Sequence, residues 1–285
     1  MRRDMETRKS LFLRTLVALA IAAAPLTAYA AEQKSISADD SLALLLQGNQ
    51  FYARGSLGNL VGNSRPNIRK QLAAGQHPYA AVVVCSDSRV PPEIVFNKGL
   101  GELFVIRVAG NLVERQHCGD DKLGSHELGS IEYAVEHLGT KLILVLGHEK
   151  CGAVKAAADY SLAADPKPDL GPNLLSLVDA ILPAVEAVRE DDPELTGPAL
   201  YEASADENVR QVVAQIETDS AIVEEFMKPC SPTTEGPVND SPTDGYDFDF
   251  SVPGPKCGVK IAGYKYGIAS GLVREIVPIR GNTSP

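Results

Sequence analysis

The sequence predicts an α/β fold: a parallel-rich central β-sheet with flanking helices. Three observations carry that expectation. Residues 79–85 (Tyr-Ala-Ala-Val-Val-Val-Cys), 103–108 and 141–146 are apolar runs that do not alternate with polar residues, as expected of strands covered on both faces. A helical segment separates the second run from the third, and longer helical segments follow. The chain has 285 residues and is 44% hydrophobic, enough for a substantial core.

The elements follow in order. Arg2, Arg3, Arg8, Lys9 and Arg14 open the chain with positive charge, Leu16 to Ala24 is unbroken and apolar, and Ala28-Tyr29-Ala30 is a small-x-small site. This pattern predicts a signal peptide over residues 1–30, cleaved near Ala30, and an exported, periplasmic or secreted, product. The apolar stretch is too short for a membrane anchor and Pro25 interrupts it, so no stable span is expected in the mature chain. The remainder, 31–285, reads as a single domain. Residues 39–54 form a first helix, with Asp39 or Asp40 as its cap and Leu42, Leu45, Leu46 and Phe51 as its apolar stripe. Pro66 opens a short second helix that ends near Gly75. The run at 79–85 is the first strand and 103–108, broken by Arg107, the second. A helix over about 125–138, stopped by Gly139, leads to a third strand at Lys141–Leu146. Helices follow at 172–189, with Pro183 as a kink, and at 201–227. Two more strands are expected at Val259–Tyr264 and Leu272–Val277.

Residues 229–257 hold six prolines, five acids and one lysine, and read as a surface loop. Cys230 and Cys257 stand at its ends. In an exported protein they would close it with a disulfide; the alternative is two unpaired thiols. Five cysteines in all are too few for a disulfide scaffold. The formal charge is −10, and losing residues 1–30 removes five positive and two negative charges. An acidic chain with no basic run excludes nucleic acid as the main partner.

Two short motifs carry the chemistry. Cys85-Ser86-Asp87-Ser88-Arg89 directly follows the first strand, and His148-Glu149-Lys150-Cys151-Gly152 directly follows the third. Ligands of parallel sheets gather at such carboxyl ends. Two thiolates and one imidazole suit zinc, His-x-x-Cys lets one turn present two ligands, and three protein ligands leave the fourth tetrahedral position open. From the residues alone, other readings stand beside this one. Cys85 is a buried small residue, His148 a satisfied loop histidine, or Cys85 and Cys151 a disulfide. Between the second strand and the next helix, 114–127 holds His117, Cys118, Asp120, Asp121 and His126 at irregular spacing, which reads as a solvated loop rather than a second metal site.

In order along the chain stand Gln76-His-Pro, Cys85-Ser-Asp-Ser-Arg89-Val-Pro-Pro-Glu93, Phe104-Val-Ile-Arg-Val-Ala-Gly110-Asn111, Ser130-Ile-Glu132-Tyr133-Ala134-Val135 and Gly147-His-Glu-Lys-Cys151-Gly-Ala153-Val. With Asn208-Val209 and Gly263-Tyr264-Lys-Tyr266, they resemble the β-class carbonic anhydrases. The resemblance implies one Zn2+ per chain on Cys85, His148 and Cys151, and Asp87 and Arg89 as the catalytic pair beside it. It implies a substrate cleft lined by Gln76, Phe104 and Tyr133, with the Gly152 backbone close by. It also implies a homo-oligomer built from dimers, with the cleft at the subunit interface. The implied reaction is reversible hydration of carbon dioxide to bicarbonate and a proton by zinc-bound hydroxide, which Asp87 orients while Arg89 keeps it ionised. Some relatives close the zinc with the equivalent Asp, a state linked to a bicarbonate pocket of Trp, Arg and Tyr. Arg107 matches that arginine, but Val82 stands at the Trp position and the chain has no Trp. An open site is therefore expected. Relatives of this fold also act on carbon disulfide or carbonyl sulfide, with similar motifs.

Overall fold

The structure, a computed structural model, describes residues 36–114, 124–230 and 257–281. The expected signal peptide, Cys118 with its neighbours from 115 to 123, and the body of the 229–257 loop lie outside the described residues.

Helix α1, Ala38–Ala53, is capped by Ser37, whose Oγ accepts the Asp40 N–H. Asp39 and Asp40 instead occupy the first turn, where their charge suits the helix dipole. Leu42 and Leu45 of the expected stripe are buried, but Phe51 is exposed. Two short helices follow, α2 at Gly58–Gly62 and α3 at Pro66–Gln71. Strand β1, Ala80–Val84, is buried throughout. After it come α4 at Pro92–Val95, β2 at Leu103–Arg107 and α5 at His126–Glu136. Strand β3, Leu142–His148, is also wholly buried and leads through Cys151 into α6, Gly152–Leu162. Helix α7, Gly171–Asp191, carries Pro183 inside it. Helix α8, Gly197–Asp219, stops at Ser220, and α9, Ala221–Phe226, begins there. The sequence expectation joined these two. They divide because Ser220 caps α9 by accepting the Val223 N–H and donates its hydroxyl to Glu132 of α5. Strands β4, Lys260–Tyr266, and β5, Val273–Arg280, end the described chain.

The sheet order is β2-β1-β3-β4-β5. The first four strands are parallel, and only β5 runs antiparallel, on the edge. That position tolerates Pro278, whose missing N–H would leave a gap in an inner strand. One sheet face packs Ala81, Val83, Ile143, Val145 and Ile261 against α5, α8 and α9. The other packs Val82, Val84, Leu144, Leu146 and Tyr264 against α1 and the segment around Phe96. Fully burying each valine, leucine or isoleucine of these faces stabilises the fold by about 1.5–3 kcal/mol.

A third apolar cluster gathers Val154 and Ala158 of α6, Val178, Ile181 and Val185 of α7, and Leu200 and Ala205 of α8 around Cys85 and Cys151. Helix α7 is long and apolar enough to cross a membrane by length and composition alone. Its buried Val178, Ile181 and Val185 pack in this cluster. Helix α8 lies directly on the sheet because β3 offers it a glycine. A Cβ on Gly147 would stand 2.6 Å from Val209 Cγ2. Cys230 and Cys257 form a disulfide, with their Cα atoms 4.9 Å apart, joining the end of α9 to the approach to β4.

Candidate metal centre

Parallel pairing sets the site. Strands β1 and β3 are neighbours in register, Val84 opposite Leu146, so they end side by side. Cys85 is the first residue beyond β1, His148 the last of β3, and Cys151 the N-cap of α6. The ligand atoms of these three side chains lie within 4.8 Å of one another, and all three are buried. Both cysteines are free thiols. The bond between His148 Nδ1 and the Glu149 carbonyl, 2.8 Å, places the ring proton on Nδ1. Nε2 is then a bare acceptor, buried with no hydrogen-bond partner. A buried acceptor facing two thiols suits a bound cation. Two sulfurs and one imidazole nitrogen fit zinc.

Electrostatics set the two thiols apart. The neighbouring Cys151 thiol holds Cys85 below its usual thiol value against the opposing effect of burial. The N–H groups of Gly110 and Asp87, 3.3 and 3.4 Å from its sulfur, add to this. Cys85 and burial together push Cys151 up. Gly110 reaches the sulfur with φ at +81°, a conformation that favours glycine.

Asp87 and Arg89 form a two-pronged pair. Arg89 Nε donates to Oδ1 at 2.9 Å and Nη2 to Oδ2 at 2.6 Å, and the Arg89 backbone N–H also reaches Oδ1. This holds the Asp87 carboxyl well below the usual carboxylate range, against some burial. Oδ2 lies 3.9 Å from His148 Nε2. Arg89 Nη2 also donates to the Lys150 carbonyl, tying the turn after β1 to the turn after β3. Arg107, at the end of β2, donates to the carbonyls of Cys85 and Asp87. Its guanidinium braces the backbone that carries both side chains.

The fold thus brings five of the sequence-derived residues together: Cys85, Asp87, Arg89, His148 and Cys151. Phe104 and Tyr133 form an aromatic pair of their own, with ring centroids 6.1 Å apart. Tyr133 is 43% exposed, and Gln76 is exposed on the link ahead of β1. Gly152 follows Cys151 as the first residue of α6, with open space where a side chain would stand.

The motifs did not reveal what holds the His148–Cys151 turn. Glu149 donates its N–H to the Tyr266 carbonyl and accepts the Ile268 N–H on its carboxylate. Lys150 sits at φ +54° and donates its N–H to Glu202 Oε1 of α8 at 2.8 Å. Glu202 is 52 residues away in sequence, on a helix with other acids, and nothing in its local pattern marks it.

The family model described as carbonic anhydrase matches residues 80–233. The chain belongs to the carbonic anhydrase family. Within it, the chain is 52% identical over 89 residues to carbonic anhydrase 2 of Mycobacterium tuberculosis, which covers 31% of this chain and 38% of that one. It is 31% identical over 182 residues to a carbonic anhydrase of Synechocystis, covering 62% and 60%. The chain thus spans less than two thirds of these relatives' length. Among solved structures it is similar to a β-carbonic anhydrase of Coccomyxa, with TM-score 0.51, 25% identity, and 84% and 88% of the two chains covered. The tetrameric β-carbonic anhydrases of Sordaria macrospora give TM-score 0.54 over 85% and 100% at 20% identity, a likeness of fold. The fold is that of the β class.

Proposed function

We propose that this chain is a zinc enzyme that adds water to carbon dioxide, reversibly, to give bicarbonate and a proton. One observation carries the reading: a buried Cys85–His148–Cys151 triad stands beside a forked Asp87–Arg89 pair in a carbonic anhydrase fold. Zinc held by the two sulfurs and His148 Nε2 would supply the Lewis acidity that turns water into a nucleophile near neutral pH.

The remaining roles belong to the chain. Asp87 accepts a hydrogen bond from the attacking water and fixes its lone pair toward the substrate carbon. Arg89 keeps that carboxylate turned to its own fork, so Asp87 orients rather than ligates. Phe104 and Tyr133 give the apolar carbon dioxide a wall, and the Gln76 side-chain amide donates to a substrate oxygen. The Gly152 backbone approaches the same space, which no side chain fills. The exposure of Gln76 and Tyr133 in the single chain supports a cleft completed by a second copy, hence a homo-oligomer built from dimers. The N-terminal signal pattern supports an exported enzyme.

The test is stopped-flow hydration of carbon dioxide by residues 31–285, with zinc content measured on the same sample, from pH 6.5 to 9. Activity near pH 7 with one zinc per chain supports the reading. No hydration at any of these pH values despite full zinc would contradict it.

A further inference from the structure

Lys150 is a non-glycine residue in the left-handed region, at φ +54°, between two metal-ligand candidates. That conformation reverses the chain so that His148 and Cys151 face one point. It is held at both ends of the residue. The carbonyl accepts Arg89 Nη2 at 3.2 Å, and the N–H donates to Glu202 Oε1 at 2.8 Å.

Glu202 is itself held. Its other oxygen, Oε2, lies 2.6 Å from Lys265 Nζ, and its backbone carbonyl accepts from the same ammonium at 2.9 Å. Lys265 is 2% exposed. A buried ammonium needs partners, and removing one is costly. Its second carboxylate is Asp206, one helical turn along α8, at 2.9 Å. Asp206 is held in turn by Arg274 of β5. Lys265 stands on β4 opposite Gly147, the residue before His148.

We infer that Glu202 is a positioning residue of the metal centre: anchored by the buried Lys265, it fixes the Lys150 turn that presents His148 and Cys151 together. This rests on the metal-centre reading but not on the identity of the substrate. Truncating Glu202 frees the Lys150 N–H, lets the backbone relax from its left-handed conformation and carries Cys151 away from His148. Truncating Asp206 removes the other partner of the same lysine and leaves the turn untouched. The two variants therefore separate positioning from general support of the fold.

The experiment compares Glu202→Ala and Asp206→Ala with the unmodified full chain. Zinc affinity is read by competition with a chromophoric chelator, thermal stability by calorimetry, and exchange of the Lys150 amide by hydrogen exchange. Glu202→Ala is expected to weaken zinc binding about 10–100-fold, the usual loss when a group orienting a ligand is removed. It should also speed exchange at Lys150. Asp206→Ala is expected to lower the melting temperature while leaving zinc affinity and Lys150 exchange as they were. Glu202→Ala that holds zinc as tightly as the unmodified chain would overturn the inference. So would Asp206→Ala that loosens zinc as much as Glu202→Ala. Neither result depends on activity, so a chain that binds zinc but fails to hydrate carbon dioxide would still decide the question.

Discussion

Arg89 joins the two turns that carry the centre. Its guanidinium forks onto Asp87 and reaches the Lys150 carbonyl, linking the turns after β1 and β3. Arg89→Ala is expected to lower kcat about 100-fold or more, the size of effect seen when a positioned proton acceptor is lost. Zinc should stay bound, because all three ligands remain and Glu202 still holds the Lys150 turn by its N–H. Arg89→Lys should recover only part, since an ammonium cannot fork onto a carboxylate. Stopped-flow rates with zinc analysis check both. At this scale the sequence was informative where chemistry is packed into short motifs. Cys85, Asp87 and Arg89 fall within five residues, and His148 and Cys151 within four. It was silent where a contact crosses the fold. Glu202 and Lys265 are 63 residues apart, and only the pairing of β4 with β3 and the seating of α8 bring them to the ligand turn.

Among the elements, strand β4 shows how a local reading stops short. The expected strand ended at Tyr264. The strand runs on to Tyr266, since Glu202 and Asp206 neutralise Lys265 inside the protein. Strand β5 likewise runs past Val277 through Pro278 to Arg280, because its outer edge needs no N–H there. The sequence expectation placed no helix at Gly152–Leu162, yet α6 lies there and carries Cys151 at its cap. Close packing of elements also gives a test. Gly147→Ala would set a Cβ 2.6 Å from Val209 Cγ2 and force α8 away from β3. Overpacking of this kind costs about 1–3 kcal/mol, read as a lower midpoint in denaturant unfolding. Because α8 carries Glu202, zinc affinity should fall in the same variant.

Across the whole molecule, two features govern stability. The Cys230–Cys257 bridge spans 27 residues of sequence. In the chain-entropy account, closing such a loop stabilises by about 3–4 kcal/mol. Replacing both cysteines by serine should lower unfolding stability by up to that amount while leaving zinc content intact, as measured by denaturant titration. Alkali is the second. Burial, then Glu275, raises Tyr264 to about 12, and burial with Glu102 or Tyr52 raises Tyr79 and Tyr266 as well. Each keeps its proton more tightly when folded than when unfolded. Their contribution is therefore complete below about pH 10 and is lost as pH rises through the folded values. Urea midpoints should fall progressively between about pH 10 and 12, and unfolding at constant midpoint across that range would contradict this. The fold class was legible because three apolar runs that do not alternate with polar residues point to a sheet covered on both sides. The antiparallel edge was not, because nothing in Val273–Arg280 states its direction.

The most direct test of the metal centre is zinc-edge X-ray absorption on the full chain, with metal content measured in parallel. The proposed function predicts one zinc per chain with two sulfur neighbours at about 2.3 Å and nitrogen or oxygen neighbours at about 2.0 Å. Zinc surrounded by oxygen and nitrogen alone, or well under one zinc per chain after loading, would contradict the assignment of Cys85, His148 and Cys151.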